Sequence, residues 1–159
     1  SIKFEKIAGY ADDAELLADI DSVVATCCAI KARIVEQDEF DTGLRMLLNF
    51  GHTLGHAVEQ HFGYSCFTHG EGVAIGMYQL TKRTEELGMT AKGSAERIKS
   101  VLEKYNLPLT AGVEKAQLLD TMARDKKKNG NSITLIILQQ IGEGVLQKVD
   151  WQEVPKYLG

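Results

Sequence analysis

Every histidine of this 159-residue chain lies between Arg45 and Gly76. His52 and His56 are four residues apart in a segment with helical spacing, so their side chains leave one face of a helix about one turn apart. His69 follows a loop and begins a second helical pattern. Imidazoles from two helices that meet can converge on one point, which is the arrangement that a divalent metal site requires.

This spacing alone leaves the metal interpretation open. Histidines at positions i and i+4 are also common on solvated helix faces, and His69 can equally be a structural residue. Thr53 follows His52 at the position where the zincin pattern requires a glutamate, so that class of metalloprotease site is excluded. A metal site and a structural role therefore both remain open at this point.

Composition indicates one globular domain and excludes several classes of protein. The chain is 44% hydrophobic and 25% charged, and its length suffices for one domain with a real core. A formal net charge of −4 argues against nucleic acid as the main partner. No apolar run approaches the length of a membrane span. The cysteines, Cys27, Cys28 and Cys66, form no disulfide framework, which predicts a reducing, cytoplasmic setting.

Hydrophobic periodicity predicts a mainly α-helical, multi-helix bundle with a small β-hairpin. A short helix is expected over residues 14–17, and a longer, well-buried helix is expected to begin at Asp21 or Ser22. The remaining expected elements are helices after Arg45, over about 70–87, 94–105 and 113–124, a loop over 125–131, and strands over 133–138 and 145–149.

Polar residues and glycines around the histidines carry more specific expectations. Arg45 and Asn49, at i and i+4, are expected to share the direction of a helix that continues through Gly51 and Gly55. Each glycine costs a helix about 1 kcal/mol relative to alanine, which suggests tight helix packing or a ligand close to the backbone. Glu71 lies in the first turn of the next helix, where it can interact with the helix dipole or orient a metal-bound histidine.

Two stretches, LLNFGHTLGHAVE and HGEGVAIGM, resemble the signature segments of 3-dehydroquinate synthases. The resemblance also includes Lys31 in IKARIVEQDE, Arg45 and Asn49 in GLRMLLN, and the run 125–127 before the strand pair. It extends from about residue 22 to residue 149. It implies a fold like the carboxy-terminal domain of that family, with residues 1–159 forming a single helical metal- and substrate-binding domain.

The resemblance also implies a role for each matching residue. It places metal ligands at His52 and His69, and it places His56 near the substrate phosphate as a proton-transfer partner. It gives a catalytic and substrate-binding role to Lys31 and Arg45 at the carboxylate end of the substrate. Substrate hydroxyl or phosphate oxygens would be held by Asn49 and Lys126. His61 matches no role in the family and is expected to be a surface residue.

The activity implied by the resemblance is the conversion of 3-deoxy-D-arabino-heptulosonate 7-phosphate to 3-dehydroquinate with release of phosphate, in the shikimate pathway. The family uses NAD and a divalent metal, usually zinc. Its amino-terminal NAD-binding domain and the glutamate that is its third metal ligand have no counterpart in this sequence. The chain is therefore expected to be a piece of a longer, homodimeric enzyme, to bind no NAD and to be inactive alone.

Other functions remain as alternatives. Related sugar-phosphate cyclases make inosose or valiolone products, and polyol and iron-dependent alcohol dehydrogenases share the architecture more distantly. The pair Lys31 and Arg45 favours a substrate with a carboxylate over a neutral sugar. A non-catalytic helical metal-binding module is the alternative from another class, and it predicts that these cations point to separate patches of solvent.

Overall fold

A computed structural model describes residues 2–38 and 43–159, without the side chains of residues 2 and 124–129. Within these ranges the chain forms a mainly helical bundle with one antiparallel β-hairpin, as expected. The α-helices are α1 (Ile2–Gly9), α2 (Asp13–Ala18), α3 (Ile20–Gln37), α4 (His52–His61), α5 (His69–Glu86), α6 (Ser94–Lys104) and α7 (Lys115–Asn129). Two 3-10 helices span Leu44–Asn49 and Val154–Tyr157, and the strands are β1 (Ser132–Gln140) and β2 (Glu143–Asp150). Among these residues, no helix combines the length and the apolar character needed to cross a membrane.

The backbone of α4 and α5 is in direct contact, because glycines face each other where the helices pack. A Cβ atom on Gly55 would lie 2.9 Å from the carbonyl carbon of Gly72, and one on Gly76 would lie 2.0 Å from the carbonyl oxygen of Gly51. Residue numbers run in opposite directions along this contact, so the two helices are antiparallel. The expected tight packing at Gly55 is therefore confirmed, and no larger residue fits without separating the helices.

Gly51 separates two helices, which corrects the prediction of one continuous helix from Arg45. Its φ of 81° lies in the left-handed region, where an L side chain is strained, and it precedes the first residue of α4. Arg45 and Asn49 lie before it in the 3-10 helix, which has about three residues per turn. Residues at i and i+4 therefore do not share one face there. Gly63, with a φ of 59°, follows the end of α4, where glycine commonly ends a helix.

The main hydrophobic core lies between α4, α5, α7 and the hairpin, and the carboxy-terminal 3-10 helix contributes to it. Its buried members are Leu54, Ala57, Leu80, Met122, Leu135, Ile137, Val149, Val154 and Leu158. A second cluster joins α5 to α6 through Ala74, Ile98 and Leu102. Burying a side chain of this size contributes about 1.5–3 kcal/mol, so the core holds α4 and α5 firmly in place.

The hairpin agrees with the expected strands, but the helix before it is longer than predicted. In the antiparallel register Ile137 pairs with Val145, and Gly142 adopts a φ of 93° in the connecting turn. The run 125–129, expected to be a loop, belongs to α7. Lysine is a good helix former, and the helix continues until Gly130, whose φ of 79° ends it.

α3 was expected to be well buried, and this expectation is wrong. The helix begins at Ile20, and none of its residues is buried. Val23 and Ile30 are half-buried, while Val24 is 53% exposed. The periodic apolar stripe predicted the helix correctly, but within the described residues its main neighbour is the short 3-10 helix Leu44–Asn49, which covers only part of that stripe.

The glycine contact between α4 and α5 predicts opposite effects for two alanine substitutions in α5. Gly76→Ala is expected to lower the free energy of unfolding by about 3 kcal/mol or more, because the new methyl group meets the backbone of α4. Gly70→Ala is the matched control, since a Cβ atom there meets nothing within 4 Å. It is expected to stabilise the protein by about 0.5–1 kcal/mol. Urea unfolding of both variants measures this, and equal midpoints would contradict the contact.

Candidate functional site

Three imidazole rings meet where α4 lies beside the start of α5. The ring centroids of His52 and His69 are 5.1 Å apart, those of His52 and His56 are 5.5 Å apart, and those of His56 and His69 are 5.7 Å apart. His52 is half-buried, whereas His56 and His69 are exposed. The fourth histidine, His61, is exposed as expected, and its ring lies against Phe62 at 5.0 Å. The site is therefore a cluster of three rings that is open to solvent on one side.

Two of these rings have a hydrogen-bond acceptor at Nδ1. Nδ1 of His52 lies 3.3 Å from the carbonyl oxygen of Phe50, and Nδ1 of His69 lies 3.2 and 3.3 Å from the two carboxylate oxygens of Glu59. Carbonyl and carboxylate oxygens only accept, so these bonds require the proton on Nδ1 and leave the lone pair on Nε2. Both rings are thereby prepared to bind a cation through Nε2.

Glu59 is the residue of this site that the sequence interpretation missed. It lies on α4, three residues after His56 and seven after His52, which places all three on one stripe of the helix. Its side chain is only 8% exposed. Gly72 makes room for it, since a Cβ atom there would come within 3.2 Å of Glu59 Cγ. The signal in the sequence was this spacing, which places an acidic residue on the face that carries the histidines.

The donor set fits a divalent metal ion. One ligand atom each from His56, Glu59 and His69 can be chosen so that all lie within 4.8 Å of one another. Imidazole nitrogen and carboxylate oxygen are the usual ligands of zinc, together with thiolate. The close ring contact between His52 and His69 gives a second combination of donors on the same side of α4. The geometry by itself is thus compatible with two ligand sets that share His69.

Glu71 stabilises the start of α5, and the carboxylate that contacts His69 belongs to Glu59. The backbone N–H and the hydroxyl of Thr68 both donate to Glu71 Oε2 at 2.8 Å, which forms a capping box. These hydrogen bonds, the one from the backbone first, hold the pKa of Glu71 below its usual value. Of the two expectations for Glu71, the interaction with the helix start is the one that these contacts support.

The other predicted substrate-binding residues lie on elements around α4. Lys31 is exposed on α3, and Arg45 is half-buried in the 3-10 helix that packs against α3. The backbone N–H of Arg45 donates to Asp38 Oδ2 at 3.0 Å, which ties this helix to the end of α3. Asn49 is exposed at the end of the same 3-10 helix, just before α4. The side chain of Lys126, near the end of α7, lies outside the described residues.

Space for a ligand lies directly beside His56. A cleft of about 210 Å³ is lined by α4, by Met122 of α7, by Ile133 of β1 and by Trp151. Thr53 and Gln60 contribute the polar groups of α4 on either side of His56. An exposed imidazole at the wall of a partly apolar cleft can donate a proton to a bound molecule or accept one from it.

The sequence is similar to the carboxy-terminal domain of 3-dehydroquinate synthase over residues 4–128. It is 46% identical to the 3-dehydroquinate synthase of Clostridium acetobutylicum over 98% of this chain and 44% of that protein. It is 36% identical to the 3-dehydroquinate synthase of Enterococcus faecalis, again over 98% of the chain and 44% of the relative. The chain thus spans less than half the length of these curated relatives.

Two synthases of known structure share the fold of this chain. A 2-deoxy-scyllo-inosose synthase complexed with carbaglucose-6-phosphate, NAD+ and Co2+ aligns with a TM-score of 0.72 and 19% identity, covering 88% of this chain and 40% of that one. The 2-epi-5-epi-valiolone synthase of Streptomyces hygroscopicus, with NAD+ and Zn2+ bound, aligns with a TM-score of 0.72 and 19% identity over 98% of this chain and 44% of that one. At such identity the likeness establishes the fold. The match over residues 4–128 and the identity to the clostridial enzyme establish that this chain belongs to the family of 3-dehydroquinate synthase carboxy-terminal domains.

Proposed function

We propose that this chain is the metal- and substrate-binding part of a 3-dehydroquinate synthase. The reaction converts 3-deoxy-D-arabino-heptulosonate 7-phosphate to 3-dehydroquinate and releases phosphate, within the shikimate pathway that leads to aromatic amino acids. The observation that carries the proposal is the convergence of three imidazoles from two helices, with centroids 5.1–5.7 Å apart, in a chain of this family.

His52 and His69 are the metal ligands in this proposal. Both have an acceptor at Nδ1, so both present the lone pair of Nε2, which is the usual arrangement of metal-binding histidines. Within the described part of the chain, no hydrogen bond orients the ring of His56 in this way. Zinc, or another divalent ion, would supply a Lewis acid that polarises a substrate oxygen. Two solved neighbours that share the fold hold Co2+ and Zn2+, which supports a divalent ion in this protein.

His56 serves the substrate rather than the metal. Its ring is next to both proposed ligands, yet it is exposed and forms part of the cleft with Trp151. A group bound in that cleft lies within reach of an imidazole that carries or accepts a proton. We therefore assign His56 to proton transfer near the substrate phosphate.

Four further side chains hold the two ends of the substrate in this proposal. Lys31 and Arg45 stand on two elements that pack against each other, and they bind the carboxylate. Asn49 follows on the same 3-10 helix, three residues before His52, and it binds hydroxyl or phosphate oxygens together with Lys126. A substrate with two anionic ends requires several cations at fixed positions, and arginine adds a bidentate fork to its charge.

The NAD-binding domain and the second subunit of the proposed enzyme are not part of this chain's 159 residues. We assign no NAD-binding residue to this chain, and the proposed enzyme holds NAD on an amino-terminal domain, as expected for relatives more than twice its length. The partly exposed apolar stripe of α3 provides a surface that such a domain can cover. The complete enzyme is proposed to be a homodimer in the cytoplasm, where three free cysteines remain reduced. The chain alone is expected to bind no NAD and to turn over no substrate.

A sugar-phosphate cyclase of the inosose or valiolone type is the second candidate, because solved members of those groups share the fold. The higher identity to 3-dehydroquinate synthases favours the first proposal. Arg45 and Lys31 distinguish the two chemically, since a carboxylate needs such a pair and a neutral sugar does not.

A comparison of two histidines in the complete two-domain enzyme tests the metal site. His52→Ala is expected to weaken zinc binding on the order of 100-fold, and turnover should fall with it. The reason is that the free energy of zinc binding, about 10–16 kcal/mol, comes from only a few ligands, and the substitution removes one of them. His61→Ala, the control, removes an exposed ring outside the cluster and should change neither. Zinc content after dialysis and initial rates are the measurements. Equal losses in the two variants would show that the wrong histidines were assigned.

Arg45→Lys tests the carboxylate assignment in the same enzyme. The substitution keeps the positive charge but loses the bidentate fork, so KM should rise on the order of tenfold, which corresponds to about 1.4 kcal/mol. Arg33→Lys is the matched control, because Arg33 is exposed on α3 and has no assigned role. Steady-state kinetics distinguish the outcomes, and an unchanged KM for Arg45→Lys would contradict a contact with the carboxylate.

A further inference from the structure

Glu59 places a carboxylate where α4 packs against α5. Its side chain is 8% exposed and packs against Gly72, where a Cβ atom would come within 3.2 Å of Glu59 Cγ. A carboxylate buried to this extent is costly unless it accepts hydrogen bonds. Both of its oxygens lie close to Nδ1 of His69, at 3.2 and 3.3 Å, and within the described residues this is the one hydrogen-bond partner of the carboxylate. Burial of this carboxylate costs free energy, and its hydrogen bonds go to His69, so its position indicates a function in holding the His69 ring.

We propose that Glu59 is a positioning residue for His69: it accepts a hydrogen bond from the Nδ1–H group and orients the ring so that Nε2 faces the metal ion. The inference rests on the proposed metal site, in which His69 is a ligand. His69 opens α5 and its side chain is 57% exposed, so few packing contacts restrain the ring. The buried carboxylate supplies the missing restraint, and it also makes the imidazole a stronger donor to a cation.

The burial of Glu59 favours this role over direct metal binding. Glu59 contacts Nδ1 of His69 from a buried position between the packed helices, whereas the His69 side chain as a whole is 57% exposed. An ion held between Glu59 and Nδ1 of His69 would have to enter the contact between α4 and α5, where atoms already lie at packing distance. Nε2 is the ring nitrogen of His69 that Glu59 leaves free to bind an ion, and the ring of His52 lies close by, with its centroid 5.1 Å from that of His69.

The first arm of the test reads the tautomer of His69 without metal. In the complete enzyme, labelled with 15N-histidine and freed of metal at pH 8, His69 should carry its proton on Nδ1. Its signals are assigned by their loss in His69→Ala. Glu59→Gln keeps an acceptor and should retain this tautomer, whereas Glu59→Met removes the acceptor and should give a mixture of tautomers. A wild-type ring protonated on Nε2 would overturn the proposal, whatever the variants do.

The second arm measures zinc affinity by competition with a chelator. Glu59→Met should weaken binding about 10–100-fold and Glu59→Gln by less, as for other residues that orient a ligand. Glu71→Gln is the matched control: it lies two residues from His69, but its contacts are to Thr68, so neither affinity nor tautomer should change. Circular dichroism checks that each variant is folded.

The outcomes separate this inference from the metal site itself. If Glu59→Gln and Glu59→Met both lose as much affinity as His69→Ala, Glu59 is a direct ligand and the proposal is wrong. If His52→Ala and His69→Ala bind zinc like the wild type, the metal site is wrong. The tautomer arm then still supports or refutes the positioning of His69 by Glu59.

Discussion

The contact between the backbones of α4 and α5 is the constraint on which the rest of the site depends. Gly55 and Gly72 face each other at a distance that excludes even a methyl group, and Gly51 and Gly76 do the same one turn further along. The helices therefore approach more closely than ordinary side chains allow. This closeness brings His52 and His56, which project from one helix, to within ring contact of His69 on the other.

A division between a rigid side and an open side follows from this packing. The core faces of α4 and α5 lie on the hairpin and on α6, α7 and the carboxy-terminal 3-10 helix, where Leu135, Ile137 and Val149 are almost fully buried. The histidine cluster lies at the edge of this packed region, where His56 borders solvent and a cleft beside Met122 and Trp151. Hydrogen bonds at Nδ1, to Phe50 for the half-buried His52 and to Glu59 for the exposed His69, orient both rings on this packed support.

Residue spacing in the sequence was sufficient to predict those helices and strands whose bounds depend on neighbouring residues alone. The bounds of α5 and of the two hairpin strands were predicted to within one or two residues. Two errors arose where local signals were weak. A run of charged residues continues α7 instead of forming a loop, and Gly51 breaks a helix that sequence periodicity joins. Each error concerns the residue at which a helix begins or ends, and in each case that position is set by one glycine with a positive φ, Gly51 before α4 and Gly130 after α7.

The sequence by itself determined the helical class of the domain, the pair of helices that carry the histidines, and the family, because helix periodicity and motif spacing are properties of neighbouring residues. Only the tertiary structure decided that three rings converge, that α3 remains partly uncovered, and that Glu59 rather than Glu71 contacts His69. The physical reason is that Glu59 and His69 are ten residues apart on different helices. Their contact exists only because glycines let those helices touch, and no pattern within either helix encodes that distance.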